Sequence, residues 1–286
     1  MADSGHDPRA NRLARGGEDG GVARIFITGS ADGLGQLAAR RLVGLGHEVV
    51  LHGRNSDRAE QALRAVPGAL TALEGDLSSI EETRALARRA NEAGPFQAVI
   101  HNAGVYRPGA ASRETVDGLD DVFAVNALAP YVLTALIEGP QRLIYLTSGL
   151  HEGGDPDLSD LQSRPRRWSG PQAYANSKLF DVVLAFAVAR LLPHVLSNAV
   201  DPGWVPTKMG GRSARGDLEQ GAATQVWLAV SEETGAKVTG RYFYHKQTRP
   251  AHPAASDVSV QDAFLAACEQ LTGVQLDPQA GLNKSR

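Results

Sequence analysis

The chain is poor in cysteine. Cys268 is its one cysteine in 286 residues, so no internal disulfide can form. No cluster of cysteine and histidine has the spacing of a metal site, which argues against a zinc-binding module. A disulfide-stabilised secreted scaffold is therefore excluded. No metal is expected, and a reducing, cytoplasmic compartment is the predicted location.

Long apolar segments and clusters of one charge are also missing. The first 21 residues hold no apolar core of the length that a signal peptide needs, and no window approaches the roughly 18 apolar residues of a membrane span. The formal net charge is −3, and lysine and arginine form no block. We therefore expect neither nucleic acid nor a membrane as a partner, and we expect a small-molecule substrate.

The composition divides the chain into a tail and a domain. Residues 1–21 are rich in glycine, aspartate and arginine and offer little to bury, so they are predicted to form a disordered N-terminal tail. Residues 22–286 are predicted to form one domain, because α/β folds of this length commonly have a single core. The chain as a whole is 42% hydrophobic and 21% charged, which is typical of a globular protein.

From residue 23 onwards, short runs rich in β-branched residues alternate with longer stretches of helical period. The strand candidates are ARIFIT, HEVVLHG, ALTALEG, FQAVIHN, RLIYLTS, LSNAVDP and GRYFYH. Five helical stretches lie between them, the first GLGQLAARRLVGLG and the last AYANSKLFDVVLAFAVARLL. Several strand candidates are apolar at nearly every position, as expected where helices cover both faces. The alternation predicts an α/β fold with a doubly wound parallel sheet.

Two long loops break this alternation, at about residues 149–172 and 204–221. Both leave the carboxyl ends of predicted strands, where ligands bind in open α/β sheets. They are therefore predicted to shape a substrate site. His151 in the first loop could line the pocket, but a loop histidine is more often exposed, and exposure is the prediction. The large apolar side chains that could form a substrate wall are Trp168, Trp204 and Met209.

The stretch TGSADGLG, residues 28–35, follows the first predicted strand and opens the first predicted helix. Glycines at such a junction let the backbone approach a pyrophosphate, and the free amides of the helix then face the anion. A tight turn into a helix would need the same glycines. The position in the first strand–helix–strand unit favours a phosphate cradle.

The glycine spacing, Gly29-x₃-Gly33-x-Gly35, resembles the TGxxxGxG motif of the classical short-chain dehydrogenase/reductase family. Further motifs of that family follow in order, over about residues 23–245. They are matched by Asp76-Leu77, Asn102-Ala103-Gly104, Asn126, Ser148, Tyr174-x₃-Lys178, and Pro202-Gly203 with Val205 and Thr207 beyond. The ordered set is far more specific than any one motif. The resemblance implies a single Rossmann-fold domain and an NAD(P)-dependent oxidoreductase.

The resemblance also implies roles for these residues. Tyr174 would exchange a proton with the substrate oxygen, Lys178 would favour the phenolate form of Tyr174, and Ser148 would hydrogen-bond the same oxygen. Tyr174 and Lys178 are four residues apart, so they share one face of a helix. Asn126 would hold a water that links Lys178 to solvent. The implied cofactor-binding residues are Thr28, Gly29, Ser30, Asp32, Gly33, Leu34, Gly35, Asp76, Leu77, Asn102, Ala103, Gly104, Lys178, Pro202, Gly203, Val205 and Thr207.

The choice of nicotinamide cofactor depends on the end of the second predicted strand. An acidic residue there would bond the ribose 2′-hydroxyl of NAD, whereas an arginine accommodates the 2′-phosphate of NADP. Gly53 occupies the acidic position and Arg54 follows, so a bidentate guanidinium–phosphate contact is available. NADP(H) is the predicted cofactor, with NAD(H) as the alternative. Asp32 counts against a nearby phosphate unless its carboxylate caps the following helix.

Ser148 and Tyr174 are 26 residues apart, and this long gap, with DPGWVPTKM later in the chain, resembles the retinol-dehydrogenase-like branch of the family. Members of that branch act on varied, often lipophilic carbonyls and alcohols. The resemblance implies hydride transfer between NADPH and a ketone, aldehyde or secondary alcohol, with a lipophilic or polyketide-like carbonyl as the substrate class. The family commonly pairs subunits through long helices, so a homodimer or homotetramer is compatible with the sequence.

Two other functions stay open at this point. An extended short-chain-type sugar-nucleotide epimerase or dehydratase would also use a tyrosine and a lysine. That group favours G-x-x-G-x-x-G, however, and the region after Pro202 is short for a sugar-nucleotide domain. A non-catalytic NADP-sensing regulator on the same fold typically loses the tyrosine or the lysine, and this chain has both.

Overall fold

The strands form one eight-stranded sheet within the described residues. The computed structural model describes residues 21–109, 111–158, 168–211 and 213–277. The strands are β1 (Arg24–Ile27), β2 (Glu48–Gly53), β3 (Thr71–Glu74), β4 (Ala98–His101), β5 (Arg142–Leu146), β6 (Leu196–Asp201), β7 (Arg241–Tyr244) and β8 (Gln247–Arg249). Their order is β3-β2-β1-β4-β5-β6-β7-β8, and every pair is parallel except β7 with β8. The predicted doubly wound sheet is confirmed.

Helices cover both faces of this sheet. They are α1 (Gly33–Gly44), α2 (Ser56–Ala65), α3 (Ile80–Ala93), α4 (Asp121–Phe123), α5 (Ala129–Leu136), α6 (Gly170–Leu191), α7 (Leu218–Val230) and α8 (Val258–Thr272). A π-helical turn, Ala124–Leu128, joins α4 to α5 without a break. One apolar core lies against α1, α2 and α7, and the other lies against α3, α5, α6 and α8. The two cores make this a single three-layer domain.

The central strand β1 shows why its sequence is apolar at successive positions. Phe26 packs into one core, whereas its neighbours Ile25 and Ile27 pack into the other. All three side chains are inaccessible to solvent. Because successive side chains of a strand point to opposite faces, a strand covered on both faces needs apolar residues at every position.

The sequence pattern missed α7, α8 and β8. Both helices carry capping signals: Asp217 accepts a hydrogen bond from the Gln220 amide, and Asp257 accepts one from the Ser259 amide. The turn between β7 and β8 is harder to predict. Its residues His245 and Lys246 adopt positive φ angles of 50° and 62°, a conformation that usually requires asparagine or glycine in a two-residue hairpin.

Helix α8 and the residues after it cover α5 and α6. The rings of Phe180 and Phe264 stack with centroids 4.8 Å apart, and Tyr131 in α5 donates a hydrogen bond of 2.7 Å to the Val274 carbonyl. The face of α6 that contacts α8 is therefore not free to pair with a second subunit. A homodimer or homotetramer stays a prediction, and it would need other surfaces of these helices.

Some sequence predictions fall outside the described residues. These are the tail at residues 1–20, part of the first long loop at 159–167, and residue 212 of the second long loop. The boundary between tail and domain stays a prediction. Among the described helices, none combines the length and the apolar character needed to cross a bilayer.

The packing of α8 on α6 can be tested by truncating Phe264, which is fully buried. Phe264→Ala should lower the free energy of unfolding by about 3–5 kcal/mol, because it removes a stacked ring and leaves a cavity. Urea unfolding followed by circular dichroism measures the change. Val258→Ala on the same helix is the control, since that side chain is 48% exposed and should matter little. Equal effects of the two substitutions would contradict the described packing.

Candidate active site

A cleft of about 730 Å³ opens along the carboxyl ends of the strands. The strand order reverses at β1, whose neighbours are β2 and β4, and the connecting helices leave to opposite faces. Ligands bind at this point in doubly wound folds. The cleft brings together most of the predicted site residues. Those lining it are Gly29, Asp32, Gly33, Leu34, Arg54, Asp76, Leu77, Asn102, Ala103, Gly104, Tyr174, Lys178, Pro202 and Thr207.

Thr28 and Asn102 fasten the glycine loop to the end of β4. The Thr28 hydroxyl accepts hydrogen bonds of 3.0 Å from the amides of Asn102 and Ala103. The Asn102 side-chain amide donates to the carbonyls of Thr28 and Gly29, at 3.0 and 3.1 Å. Thr28 lies behind the loop rather than in the cleft wall. It therefore holds the loop in place.

The glycines of this loop are needed for different physical reasons. A Cβ at Gly29 would lie 2.8 Å from the Cα of Ala103, and a Cβ at Gly35 would lie 2.4 Å from the Asn102 side-chain nitrogen. Both positions therefore exclude larger residues. Gly33 has a φ of +55°, and a Cβ there would find only Thr207, at 3.5 Å. The absence of a side chain at Gly33 keeps the surface of the cleft bare beside the N-terminus of α1.

Asp32 does not cap α1, so the capping alternative that the sequence left open does not apply. Its carboxylate pairs instead with Arg58, at 2.7 Å, and with Lys208, at 2.9 Å. Burial would raise the pKa of Asp32, but the hydrogen bonds from Lys208 and Arg58 outweigh it and lower the pKa below its usual value. The first amides of α1 thus have no side-chain cap and stay open to an anion.

His52 is a site residue that sequence reasoning missed. Its Nδ1 accepts a hydrogen bond of 2.9 Å from the Gly29 amide, and its Nε2 donates one of 2.9 Å to the Gly75 carbonyl. The backbone amide of His52 donates to the Ser30 hydroxyl, at 2.8 Å. Burial lowers the pKa of His52 to about 4, so the ring is neutral at pH 7 with its proton on Nε2. The sequence signal that could have identified His52 is a histidine within the otherwise apolar part of the strand HEVVLHG.

Tyr174 and Lys178 lie one turn apart on α6. Tyr174 is 9% exposed, its ring meets Tyr106 edge to face at 5.1 Å, and its hydroxyl lies 3.8 Å from the sulfur of Met209. Burial raises the pKa of Tyr174 above its ordinary value. The Lys178 ammonium and a hydrogen bond with Ser148 offset only part of that rise. The helix thus places a phenol at the cleft surface with a cation behind it.

Ser148 follows β5 and has two partners. Its hydroxyl accepts a hydrogen bond of 3.3 Å from the Leu150 amide, which caps a short 3₁₀ turn at Gly149–Gly153. It also hydrogen-bonds Tyr174. The Ser148 hydroxyl can therefore cap the 3₁₀ turn and still lie beside the Tyr174 phenol.

His151 was expected to be exposed, and that expectation is wrong. The side chain is fully buried. Its Nδ1 donates to the Ser148 carbonyl at 2.8 Å, and its Nε2 accepts from the His252 amide at 3.3 Å. His151 thus anchors the backbone of Ser148. Its partner is 101 residues away in the chain, so local sequence gave no sign of the contact.

Asn126 lies in the π-helical turn and is inaccessible to solvent. Its side-chain oxygen accepts from the Val105 amide at 2.7 Å, and its side-chain nitrogen donates to the Val105 carbonyl and the Ser177 hydroxyl, both at 2.9 Å. Asn126 therefore joins the segment after β4 to α6. The predicted water link to Lys178 stays a prediction.

The remaining loop residues differ in their relation to the cleft. Met209 lines it, and Trp168 packs beside Tyr174 with its indole nitrogen 3.1 Å from an Asp120 oxygen. Trp204 does not line it: the side chain is 60% exposed. Gly203 and Val205 lie outside the lining as well, where the Gly203 amide donates to Asp201 at 2.8 Å and Val205 is buried.

Comparison with known proteins agrees with this geometry. Residues 23–139 match a family model described as short chain dehydrogenase. An uncharacterized oxidoreductase of Emericella nidulans is 46% identical, over 88% of this chain and 98% of the relative. Human retinol dehydrogenase 14 is 30% identical, over 93% of this chain and 92% of the relative.

A solved structure extends the agreement to the fold. A protein from Mycobacterium paratuberculosis is similar with a TM-score of 0.76 and 25% identity, over 91% of this chain and 100% of that one. The family model, the relatives along nearly their whole length and the shared fold all point the same way. The chain belongs to the short-chain dehydrogenase/reductase family, in its retinol-dehydrogenase-like branch, and is an NAD(P)-dependent oxidoreductase.

Proposed function

We propose that the protein transfers hydride between NADPH and a ketone, an aldehyde or a secondary alcohol, with a lipophilic or polyketide-like carbonyl as its substrate. The observation that carries the proposal is that Tyr174 and Lys178 line the cleft that the glycine loop borders, with Ser148 beside the Tyr174 phenol. Bound NADPH would supply the hydride. The protein would supply the proton and the positioning.

Tyr174 is the proposed acid and base. In reduction its hydroxyl donates a proton to the carbonyl oxygen, and in oxidation the phenolate takes the proton back. Ser148 lies beside that hydroxyl and donates a hydrogen bond to the same oxygen, where negative charge develops. A phenol has an ordinary pKa of about 10, so the Lys178 ammonium is needed to favour the phenolate.

The glycine loop is the proposed pyrophosphate site. The amides at the N-terminus of α1 have no side-chain cap, and no side chain covers the surface at Gly33 beside them. Anion binding by a helix requires such accessible amides. Asp76 and Leu77 line the part of the cleft proposed for the adenine ring, and Pro202 and Thr207 line the part proposed for the nicotinamide.

Two features of the cleft support NADP over NAD. A Cβ at Gly53 would lie 2.4 Å from the Ala59 amide nitrogen, so no acidic side chain fits where an NAD enzyme carries one. Arg54 is exposed and lines the cleft, as Arg58 and Lys208 also do. Arg58 and Lys208 share one carboxylate, that of Asp32, so this part of the cleft keeps a net positive charge. A positive charge suits a 2′-phosphate.

The substrate class rests on apolar groups around the phenol. Tyr106 and Trp168 pack beside Tyr174, and Met209 lies over its hydroxyl. Leu150 is 56% exposed two residues after Ser148. A lipophilic carbonyl would bury these surfaces on binding. The human relative is named for retinol, a lipophilic alcohol, which agrees with this assignment.

The two alternative functions have less support. A non-catalytic sensor does not need a tyrosine and a lysine in the cleft with a serine beside the tyrosine. An extended epimerase or dehydratase would need a sugar-nucleotide domain after Pro202. In this chain the residues after Pro202 instead form α7, β7, β8 and α8, which complete the sheet and its helix layers.

Tyr174→Phe tests the proposed reaction. We expect NADPH-dependent reduction of a panel of lipophilic ketones to fall by at least roughly 10²-fold, because the proton donor is gone. Binding of NADPH, followed by its fluorescence, should persist. Tyr106→Phe removes the hydroxyl of a ring that packs against Tyr174 and should keep most of the activity. Turnover in the Tyr174 variant equal to that of the unmodified protein would contradict the assignment.

Arg54→Ala tests the cofactor preference. Loss of a guanidinium–phosphate contact should weaken NADPH binding by roughly 10–100-fold, whereas NADH lacks the phosphate and should bind about as before. Calorimetric titration with each cofactor gives the comparison. Arg64→Ala on the exposed face of α2 is the control for a general loss of positive charge. Equal weakening of both cofactors by the Arg54 change would refute the preference.

A further inference from the structure

Lys178 belongs to a buried ion pair that the family resemblance does not include. Its ammonium lies 2.7 Å from an oxygen of Asp181, three residues further along α6, and the two side chains are 5% and 3% exposed. A second hydrogen bond of 2.7 Å goes to the Leu146 carbonyl. Two of the three ammonium donors are thus used within the protein, and one of their partners is a carboxyl group that can carry a negative charge.

Several elements contribute charged or titratable groups around this pair. From α6, the phenol of Tyr174 has its ring centre 5.8 Å from the Lys178 nitrogen. From β5 and the residues after it come Tyr145, whose hydroxyl lies 2.8 Å from that of Thr134, and Ser148. From β6 comes Asp201, which accepts hydrogen bonds from the Gly203 amide and the Tyr242 hydroxyl.

We propose that Asp181 is a positioning residue that acts through Lys178: it neutralises the ammonium and so weakens the pull of that cation on the Tyr174 phenol. The proposal rests on the proposed role of Tyr174 as proton donor and acceptor. Charges interact strongly over several ångströms in a buried site, so a carboxylate beside the ammonium opposes its effect on a third group.

The charge of Asp181 has an effect separate from holding Lys178. The Leu146 carbonyl already anchors the ammonium, and a neutral amide at position 181 would offer the same kind of acceptor. Burial is the largest influence on Asp181 and raises the pKa of its carboxyl, and the Lys178 ammonium opposes that rise. Burial also raises the pKa of Tyr174; Lys178 lowers it, and Asp181 and Asp201 raise it further.

The direction of the effect favours carbonyl reduction. Because the Asp181 carboxylate partly cancels the charge of Lys178, Tyr174 stays protonated to higher pH. A protonated phenol is the form that donates a proton to a carbonyl oxygen. Removing the charge of Asp181 should therefore favour the phenolate and make Tyr174 a better acceptor for alcohol oxidation at neutral pH.

Asp181→Asn and Asp181→Glu form a matched pair for the test. The pH dependence of kcat/KM for NADP-dependent alcohol oxidation is measured from about pH 7 upward, through the ordinary range of a tyrosine near pH 10. The amide variant should move the apparent pKa down by roughly one unit, since a negative charge has gone. The glutamate variant keeps the charge and should keep the pKa of the unmodified protein.

The sign of the shift separates this role from a merely structural one. If Asp181 only held Lys178 in place, its loss would displace the cation and leave the pKa of Tyr174 unchanged or higher, and either result would overturn the inference. NADP(H) binding by fluorescence checks that each variant is folded. Asp181→Ser replaces the amide variant if that variant does not fold, with the same downward shift expected.

A second readout does not need turnover. Near-ultraviolet absorbance titration of each protein, minus that of its Tyr174→Phe counterpart, follows the ionisation of this phenol alone. The same downward shift is expected for the amide variant, and no shift would overturn the inference. If Tyr174→Phe retained full turnover, the proposed function would fail, whereas an unmoved pKa in the Asp181 variants would sink only the role of Asp181.

Discussion

Two reciprocal hydrogen bonds between the end of β5 and Lys178 fix the geometry on which the rest of the site depends. The Lys178 ammonium donates to the Leu146 carbonyl, and the Thr147 hydroxyl donates to the Lys178 carbonyl, both at 2.7 Å. These contacts hold α6 against the strand that leads into Ser148. Because Tyr174 is one turn before Lys178, the same contacts bring its phenol beside the serine hydroxyl.

The cofactor side of the cleft is fixed to the same sheet by independent contacts. Thr28 and Asn102 tie the glycine loop to β4, and His52 ties it to β2 and to the residue after β3. Asn126 then joins the segment after β4 to α6. The glycine loop and the start of α6 are thus both held in place by neighbouring strands of one sheet. Such a rigid scaffold can position a cofactor against the proposed proton donor.

The sequence predicted the first seven strands, the doubly wound parallel sheet, the glycine loop and most of the residues that meet at the cleft. These follow from local patterns: alternation of apolar runs with helical periods, and motifs of fixed spacing. It did not predict His52, His151 or Asp181. The contacts of His52 with the glycine loop and of His151 with His252 join segments that are distant in the chain, so only the fold creates them. Asp181 is three residues from Lys178 on α6, but an aspartate at that spacing in a helix has many uses. The ion pair of Asp32 with Lys208 was also missed, because the two residues are 176 positions apart in the chain.

The direct measurement of the central claim is the fate of the hydride. The protein is incubated with a lipophilic ketone and NADPH that carries deuterium in place of the transferable hydrogen at C4, and the alcohol is analysed by mass spectrometry. The account predicts one deuterium on the former carbonyl carbon, formed at a rate that depends on Tyr174. NADPH binding without deuterium in any product across the ketone panel would contradict it.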